Sequence, residues 1–294
     1  MLTVTELRRN FGEHRALDNV SFEVRPGRMT GFIGANGSGK TTTMRIILGV
    51  LAAHGGSVVW HGAPITQAVR QRFGYMPEER GLYPKAKVAE QITWLGRLHG
   101  LDHATARENT LRLLEQLELA ERAGDKLEEL SLGNQQRAQV AAALVHDPTL
   151  LILDEPFSGL DPIAVETMLG VLRERADSGV PVLFSSHQLG LVERLCDDVV
   201  IISGGVVKAS GGREELRAKY GSRRFELVLE NDAGWLRDLP EVRIVDLDGP
   251  RAVFEPIGNG RTDQRVLRAA LERGAVRSFT PVVPSLNEIF KEAI

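Results

Sequence analysis

The spacing of apolar residues along the chain predicts strands that alternate with helices. Continuous apolar runs at Met29–Ile33, Phe73–Met76, Leu150–Leu153 and residues 180–185 indicate short strands, several of them buried on both faces. Helical periodicity follows most of these runs. This alternation favours an α/β fold with a largely parallel sheet and helices on both of its faces.

The predicted helices between these runs differ in length and grouping. They cover residues 42–51, 84–119, 135–145, 163–176 and 189–196. The long stretch at 84–119 has no apolar run that would continue the sheet, so we interpret it as a helical insertion. We place this helical subdomain at about residues 78–147 of the α/β domain.

Both ends of the predicted domain have the pattern of antiparallel strands. Before residue 30, apolar and polar positions alternate on either side of a turn region, and Pro26-Gly27 marks the turn into the first buried strand. Residues 199–203 and 206–210 predict a hairpin around Gly204-Gly205. The antiparallel N-terminal strands make the predicted sheet mixed.

The chain changes character after residue 212, which suggests a second domain. We assign residues 1–212 to the first domain, 213–224 to a charged helix and a linker, and 225–294 to a small α+β domain. Its predicted strands are 225–230, 242–247, 252–257 and 276–283, and its predicted helices are 262–273 and 285–294. This order suggests a ferredoxin-like arrangement.

The composition of the chain excludes some classes of protein but does not identify the function. The chain has 294 residues, 43% of them hydrophobic and 26% charged, as in an ordinary globular protein. The net charge of −3 gives no reason to expect nucleic acid as the main partner. The N-terminus lacks the apolar core of a signal peptide, and no apolar run approaches the ~20 residues that span a bilayer. With a single cysteine, Cys196, these features predict a cytoplasmic protein.

One segment of the chain carries a phosphate-binding pattern. Residues 34–42 read GANGSGKTT and fit G-x-x-x-x-G-K-[ST] between a predicted strand and a predicted helix. Backbone N–H groups of such a loop close around phosphate oxygens, and the helix dipole adds positive potential. We expect Lys40 to reach the β- and γ-phosphates and the Thr41 hydroxyl to bind Mg²⁺. The candidate binding residues of the loop are Gly34, Asn36, Gly37, Ser38, Gly39, Lys40, Thr41 and Thr42.

Three polar residues follow two other buried strands. Asp154 and Glu155 come directly after Leu150–Leu153, and His187 follows the run at 180–185. Because carboxyl ends of parallel strands meet at one edge of a sheet, these side chains are expected near the nucleotide. Asp154 is suited to hold Mg²⁺ through water, and Glu155 to act as general base on the attacking water. His187 would contact the γ-phosphate and keep Glu155 and the water in register.

The order of these motifs resembles the nucleotide-binding subunit of an ATP-binding cassette (ABC) transporter over about residues 2–210. The phosphate loop is followed by LSLGNQQR at 130–137, LILDEP at 151–156, SGLD at 158–161 and His187. The resemblance implies a head-to-tail dimer that traps two ATP molecules. Ser131 and the backbone of Gly133 would cap the γ-phosphate bound to the opposite subunit, as the free N–H groups of a helix start allow.

The same resemblance implies roles for two further residues. The segment SGLD, which contains Asp161, would lie along the dimer interface and couple the two ATP sites. Phe11 would stack on adenine, although the residue pattern by itself suits a buried strand-end side chain equally well. All motifs for one complete site occur in this chain, so we favour a homodimer.

Three positions depart from the family pattern. Leu132 and Asn134 replace a glycine and a glutamine of the usual LSGGQ signature. Glu78 stands where the family has a glutamine that links Mg²⁺ to the helical region, and a glutamate oxygen can also bind Mg²⁺. The segment GYMPEERGLYP at 74–84 and the C-terminal domain resemble an exporter subfamily with separately encoded permeases.

The sequence thus predicts an ATPase subunit that powers a separate membrane permease, at the cytoplasmic face of the cell membrane. The alternative is a non-transport ABC ATPase that acts as a mechanical clamp on nucleic acid or ribosomes, although basic extensions and long coiled-coil insertions are not seen. A C-terminal domain that senses a small ligand is compatible with the first interpretation. The transported substrate is not encoded in any motif that we identify.

Overall fold

A computed structural model describes residues 1–79, 81–220, 223–257 and 261–282. The chain divides into two compact units, Met1–Arg213 and Glu214–Ala293. In the part of the chain that the structure describes, no helix is long and apolar enough to cross a membrane.

The first unit is built around a parallel sheet. The strands of this first unit are β1 (Leu2–Phe11), β2 (His14–Val24), β3 (Met29–Ile33), β4 (Gly55–Trp60), β5 (Ala63–Pro64), β6 (Phe73–Met76), β7 (Leu150–Leu153), β8 (Val182–Ser186), β9 (Asp198–Ser203) and β10 (Val206–Gly212). Six of them form one sheet in the order β10-β9-β3-β8-β7-β6, and every neighbouring pair is parallel except the β9–β10 hairpin. Strands β3, β7 and β8 are buried along their whole length, as their apolar runs predict.

The N-terminal strands lie in a second, antiparallel sheet with the order β2-β1-β4-β5. The α/β fold class is confirmed, but the expectation that these strands join the parallel sheet is wrong. Both edges of β1 are occupied, because Leu2 pairs with Val24 of β2 and with Trp60 of β4. The two sheets share one core instead, in which Leu2 of β1 and Phe32 of β3 belong to the same buried cluster.

The helices of the first unit occupy the predicted segments with shifted ends, apart from the short helix α2, which was not predicted. They are α1 (Lys40–Ile47), α2 (Gln67–Arg70), α3 (Val88–Leu98), α4 (His103–Gln116), α5 (Leu132–Leu144), α6 (Pro162–Asp177) and α7 (Leu189–Leu195). Helices α3, α4 and α5 pack together and form the predicted helical subdomain. The predicted helical stretch at 84–119 forms two separate helices, α3 and α4, because Asp102 caps the start of α4. The Asp102 carboxylate accepts hydrogen bonds from Ala104 N at 2.9 Å and Thr105 N at 3.0 Å.

The second unit has an antiparallel sheet. Its elements are α8 (Arg213–Tyr220, which starts at the last residue of the first unit), β11 (Arg224–Leu229), β12 (Val242–Asp248), β13 (Arg251–Pro256), α9 (Thr262–Arg273) and β14 (Val276–Val282). The strand order β12-β13-β11-β14 is that of a ferredoxin-like fold, with a 3₁₀ turn at Gly234–Asp238 in place of the first helix. The predicted final helix at 285–294 and linker residues 221–222 lie outside the described residues.

Candidate functional site

The phosphate loop connects β3 to α1 and surrounds a lysine ammonium group. Gly39 precedes α1 with φ +109°, a conformation that side chains rarely adopt, so the pattern glycine is required there. Lys40 is only 6% exposed. Its Nζ donates to the carbonyl oxygens of Gly34 at 2.7 Å and Ala35 at 3.2 Å. The loop therefore holds a buried positive charge at its centre, which suits a phosphate group.

A cavity of about 430 Å³ adjoins this loop. Its lining combines the loop, the end of β1 and the carboxyl ends of the parallel strands. The lining residues are Phe11, His14, Ala16, Asn36, Gly37, Gly39, Lys40, Thr41, Thr42, Glu78, Asp154 and Glu155. The fold thus brings most of the predicted nucleotide-binding residues together, although they come from distant parts of the chain.

Asp154 and Glu155 are bridged by a serine hydroxyl from the neighbouring strand. Ser185 Oγ donates to Asp154 Oδ1 at 2.5 Å and accepts from the backbone N–H of Glu155 at 2.8 Å. All three residues are buried. The bridge fixes the end of β7 relative to β8, so the two carboxylates project from a rigid sheet edge.

The Glu155 carboxylate lies between two basic groups. His187 Nδ1 is 3.0 Å from Oε2 of Glu155, and Lys40 Nζ is 3.8 Å from Oε1. Glu155 has φ +51°, an unfavourable backbone conformation for a residue with a side chain. Such strain is found at functional sites when surrounding bonds hold it, and the hydrogen bond from Glu155 N to Ser185 serves that purpose here.

The carboxylates fit a magnesium ion. Asp154 Oδ2 and Glu155 Oε1 are buried without a hydrogen-bond partner among the described residues, and buried carboxylate oxygens ordinarily have one. Thr41 and Glu78 add oxygen atoms to the same cavity. Within the described ranges, no group of three or more His, Cys, Asp or Glu side chains could hold a metal by itself. An ion bound here would therefore take its remaining ligands from nucleotide phosphates and water.

Tyr75 of β6 lies close to these charges. Burial raises the pKa of Tyr75, and the negative charge of Asp154 raises it further. The phenol therefore stays neutral at physiological pH and adds no negative charge beside Asp154.

Phe11 is the last residue of β1 and lies at the rim of the cavity. Its side chain is 47% exposed, so the interpretation as a buried strand-end residue does not describe it. The Arg9 guanidinium lies 4.9 Å from the ring centroid and covers part of the ring. The exposed part of the aromatic ring remains accessible from the cavity.

Six predicted residues are not among those that line the cavity: Gly34 and Ser38 of the loop, His187, which contacts Glu155, and Ser131, Gly133 and Asp161 at the starts of two helices. Ser131 precedes α5, and its hydroxyl accepts from Asn134 N at 3.4 Å. Asp161 precedes α6 and accepts from Ala164 N at 2.9 Å. Gly133 lies in the first turn of α5, close to Leu160. Within one chain, Ser131, Gly133 and Asp161 do not line this cavity. Their service to the opposite subunit stays a prediction.

Sequence reasoning missed three residues of the site. His14 and Ala16 line the cavity from β2, and no sequence motif marks them. Ser185 joins the Asp154 carboxylate to the backbone N–H of Glu155. Its signal was present, because it ends the predicted strand at 180–185, two residues before His187.

A phosphate loop on a largely parallel sheet, with acidic residues at its carboxyl edge, defines a P-loop nucleotide-binding protein. Comparison with known proteins narrows this class. A family described as "ABC transporter" matches residues 17–158, and one described as "ATP-binding protein DrrA1-3-like, C-terminal domain" matches residues 211–294.

Individual relatives agree with these matches. The chain is 37% identical over 294 residues to YhaQ of Bacillus subtilis (strain 168), an uncharacterized ABC transporter ATP-binding protein, covering 100% of this chain and 98% of the relative. It is 37% identical over 219 residues to Nod factor export ATP-binding protein I of Cupriavidus metallidurans, covering 74% and 72%. A solved "ATP binding subunit of ABC transporter" superposes with a TM-score of 0.69 at 32% identity, covering 75% and 93%.

The chain therefore belongs to the family of ABC transporter ATP-binding proteins. ATP-binding subunits of this family work as dimers with membrane permeases.

Proposed function

We propose that this chain hydrolyses ATP, with Mg²⁺, as the motor subunit of an exporter whose permease is a separate polypeptide. The observation that carries this proposal is the Glu155 carboxylate, held by His187 beside the phosphate loop. We assign nucleotide binding and hydrolysis to residues 1–212.

The residues of the cavity, and His187 in contact with Glu155, have distinct tasks in this reaction. Lys40 and the N–H groups of residues 34–42 bind the phosphates. They also stabilise the negative charge that develops on the phosphate oxygens in the transition state. Glu155 accepts the proton of the attacking water, and His187 keeps the carboxylate oriented towards that water. The ion held by Thr41, Asp154 and Glu78 would neutralise charge on the β- and γ-phosphates when bound. Phe11 stacks on the adenine and fixes the position of the base.

Dimerisation completes the site in this proposal. Ser131 and Gly133 would face the γ-phosphate of ATP bound to a second copy of the chain, with Asp161 at the seam. Support comes from their position at a helix start outside the cavity of their own chain. A helix N-terminus attracts phosphate oxygens through its free N–H groups and its dipole.

The segment after Glu78 would transmit movement from the nucleotide-binding site to a permease. Two glutamine side chains attach it to the helical subdomain: Gly81 N donates to Gln139 Oε1 at 3.1 Å, and Tyr83 N donates to Gln91 Oε1 at 3.0 Å. A displacement at Glu78 is therefore passed to α3 and α5. The similarity to a Nod factor export protein favours export as the direction of transport, with the chain at the cytoplasmic face of the membrane.

The variant Glu155→Gln tests the proposed hydrolysis. It keeps the size and shape of the side chain but removes the base, so ATP turnover should fall by at least about 100-fold while ATP binding persists. Glu108→Gln, on the exposed surface of α4, is the matched control and should leave turnover unchanged. Wild-type turnover in Glu155→Gln would refute the mechanism.

A second measurement tests the partner. The tagged chain, purified from detergent-solubilised cells, should bring down a membrane protein with several spanning segments. Recovery with RNA or ribosomes instead would favour a non-transport clamp over the exporter.

A further inference from the structure

A second groove of the first unit lies between helices α3 and α4 of the helical subdomain. Its volume is about 440 Å³, and its lining includes Thr93, Trp94, Arg97, Arg107, Thr110 and Leu111. We call it the α3–α4 groove. It shares no lining residue with the 430 Å³ nucleotide cavity, so it is a separate feature of the surface.

The floor of the α3–α4 groove is apolar in character although it contains two threonines. Thr93 Oγ1 donates to Thr110 Oγ1 at 3.1 Å, and Thr110 Oγ1 donates to the Ala106 carbonyl at 2.7 Å. Both threonines are buried and already hydrogen-bonded, so the floor offers a ligand mainly apolar contact. Trp94 and Leu111, which are 47% and 43% exposed, extend this apolar surface from the two helices.

The rim of the groove carries positive charge on both helices. Arg97 and Arg107 are exposed, and neither side chain forms an ion pair or a hydrogen bond with another residue in the described ranges. Glu90 is the one carboxylate in the lining, and Lys87 Nζ lies 3.2 Å from its Oε1. Glu108 follows Arg107 in the sequence but does not line the groove. An occupant of complementary charge is therefore anionic.

A phospholipid with a net negative charge matches both parts of the groove. Its phosphate suits the two guanidinium groups, and its glycerol and acyl groups suit the floor beside Trp94. Tryptophan rings collect at the headgroup level of membranes, and basic side chains are attracted to anionic lipid there. A free phosphate ion would leave the apolar floor uncovered. An acidic protein segment would find no hydrogen-bonding group on that floor.

The position of the groove on α3 agrees with a membrane as the partner. Gln91, which lies three residues before Trp94 on the same helix, accepts from Tyr83 N at 3.0 Å. This bond holds the segment that the proposed function directs towards a permease. Helix α3 therefore belongs to the part of the chain that works nearest to the membrane in that proposal.

We propose that the α3–α4 groove binds anionic phospholipid at a membrane surface. Arg97 and Arg107 contact the phosphate groups, and Trp94 enters the interface. The location at a membrane rests on the proposed function, but the binding itself needs neither ATP nor a permease. The overall net charge of −3 opposes adsorption to an anionic surface, so the local basic rim has to supply the attraction.

Flotation of the full chain with lipid vesicles, in the absence of nucleotide, tests the proposal. The vesicles contain phosphatidylcholine alone, or phosphatidylcholine and phosphatidylglycerol in about a 2:1 ratio. The chain should float with the anionic vesicles only, and added salt should release it. The tryptophan emission should shift to shorter wavelength on binding, and Trp94→Phe should remove most of this shift.

The double variant Arg97→Gln/Arg107→Gln should partition onto anionic vesicles about 30-fold more weakly, because two basic residues near the surface are lost. Arg237→Gln/Arg268→Gln is the matched control. It removes two exposed arginines of the second unit and should bind as wild type. Trp94→Ala should weaken the partition several-fold at unchanged charge.

Four outcomes would overturn the proposal. The first is a wild-type chain that does not float with anionic vesicles, and the second is an equal loss in the two double variants. The third is release by inorganic phosphate beyond that by sodium chloride of equal ionic strength, which would indicate a site for a free anion. The fourth is normal vesicle binding by Arg97→Gln/Arg107→Gln together with weaker recovery of a membrane protein in detergent, which would assign the groove to an acidic protein segment. The ATPase assignment stands in all four cases, because Glu155→Gln tests it separately.

Discussion

The imidazole Nδ1 of His187 lies 3.0 Å from Oε2 of Glu155, although the two residues follow different strands of the sheet. The Glu155 side chain is buried, whereas that of His187 is 48% exposed. The histidine ring therefore contacts the buried carboxylate while about half of the side chain stays exposed to solvent. This geometry supports the orienting role that we propose for His187.

Replacement of His187 by alanine should lower turnover without preventing ATP binding. Without the hydrogen bond to Oε2, the Glu155 carboxylate is free to turn towards Lys40, so we expect a loss of about 100-fold or more in turnover number. Steady-state ATPase assays and the binding of a fluorescent ATP analogue provide the two measurements. His103→Ala, at the exposed start of α4, should behave as wild type. Equal losses in binding and turnover would contradict an orienting role.

Replacement of Phe11 by alanine should weaken the binding of ATP but not of inorganic tripolyphosphate. The ring contacts only the base in our proposal, and the loss of one aromatic stacking contact corresponds to about a 10-fold weaker affinity. Calorimetric titration with both ligands measures the effect, and Phe11→Trp should restore ATP binding. If both ligands lose affinity equally, Phe11 supports the loop rather than the adenine.

Replacement of Gly31 by alanine should destabilise the first unit. Its Cβ would lie 2.3 Å from Cγ1 of Val192 and 2.6 Å from Sγ of Cys196, so we expect a loss of about 1–3 kcal/mol in the free energy of unfolding. Urea unfolding measures this loss. The double variant Gly31→Ala/Val192→Ala should recover part of it, because one of the two clashes is removed.

Gly170→Ala in α6 is the control for this experiment. No atom lies within 4 Å of the added Cβ, and alanine is the better helix former, so stability should be unchanged or rise by up to about 1 kcal/mol. A similar loss in both single variants would contradict a steric cause.

His146 should make the stability of the first unit depend on pH. Burial lowers its pKa from 6.5 to about 4, and His99, whose ring stacks on it with centroids 3.7 Å apart, acts in the same direction. Between these values the unfolded chain binds a proton that the folded chain does not. The stabilisation is therefore complete above pH 6.5 and is lost as pH falls towards 4.

The comparison with His146→Gln isolates this effect. A glutamine amide can still donate to the Phe73 carbonyl, which His146 Nε2 contacts at 3.2 Å, but it does not titrate. The difference in unfolding free energy between wild type and variant should shrink on acidification from about pH 7 to about pH 4, by no more than about 3 kcal/mol. His103→Gln is the exposed control. A difference that is constant with pH would argue against a buried neutral His146.

The sequence by itself determined the fold class, the buried strands and the phosphate loop. Met29–Ile33 and Leu150–Leu153 have the bounds that their apolar runs predict, because a strand buried on both faces is mostly apolar along its length. The phosphate loop could also be identified from the sequence. The close contact of its backbone with phosphate permits few residue types at the fixed positions of the motif.

The tertiary structure alone decided which distant residues meet. The separate antiparallel sheet follows from hydrogen bonds on both edges of β1. The periodicity of apolar residues does not indicate which strand pairs with a given strand. The Ser185 bridge and the contact of Leu132 with Gly159 likewise depend on the distance between segments about 30 residues apart. Sequence patterns report the local preference of a segment, whereas these contacts arise only when the packed core fixes the positions of its strand ends and helix starts.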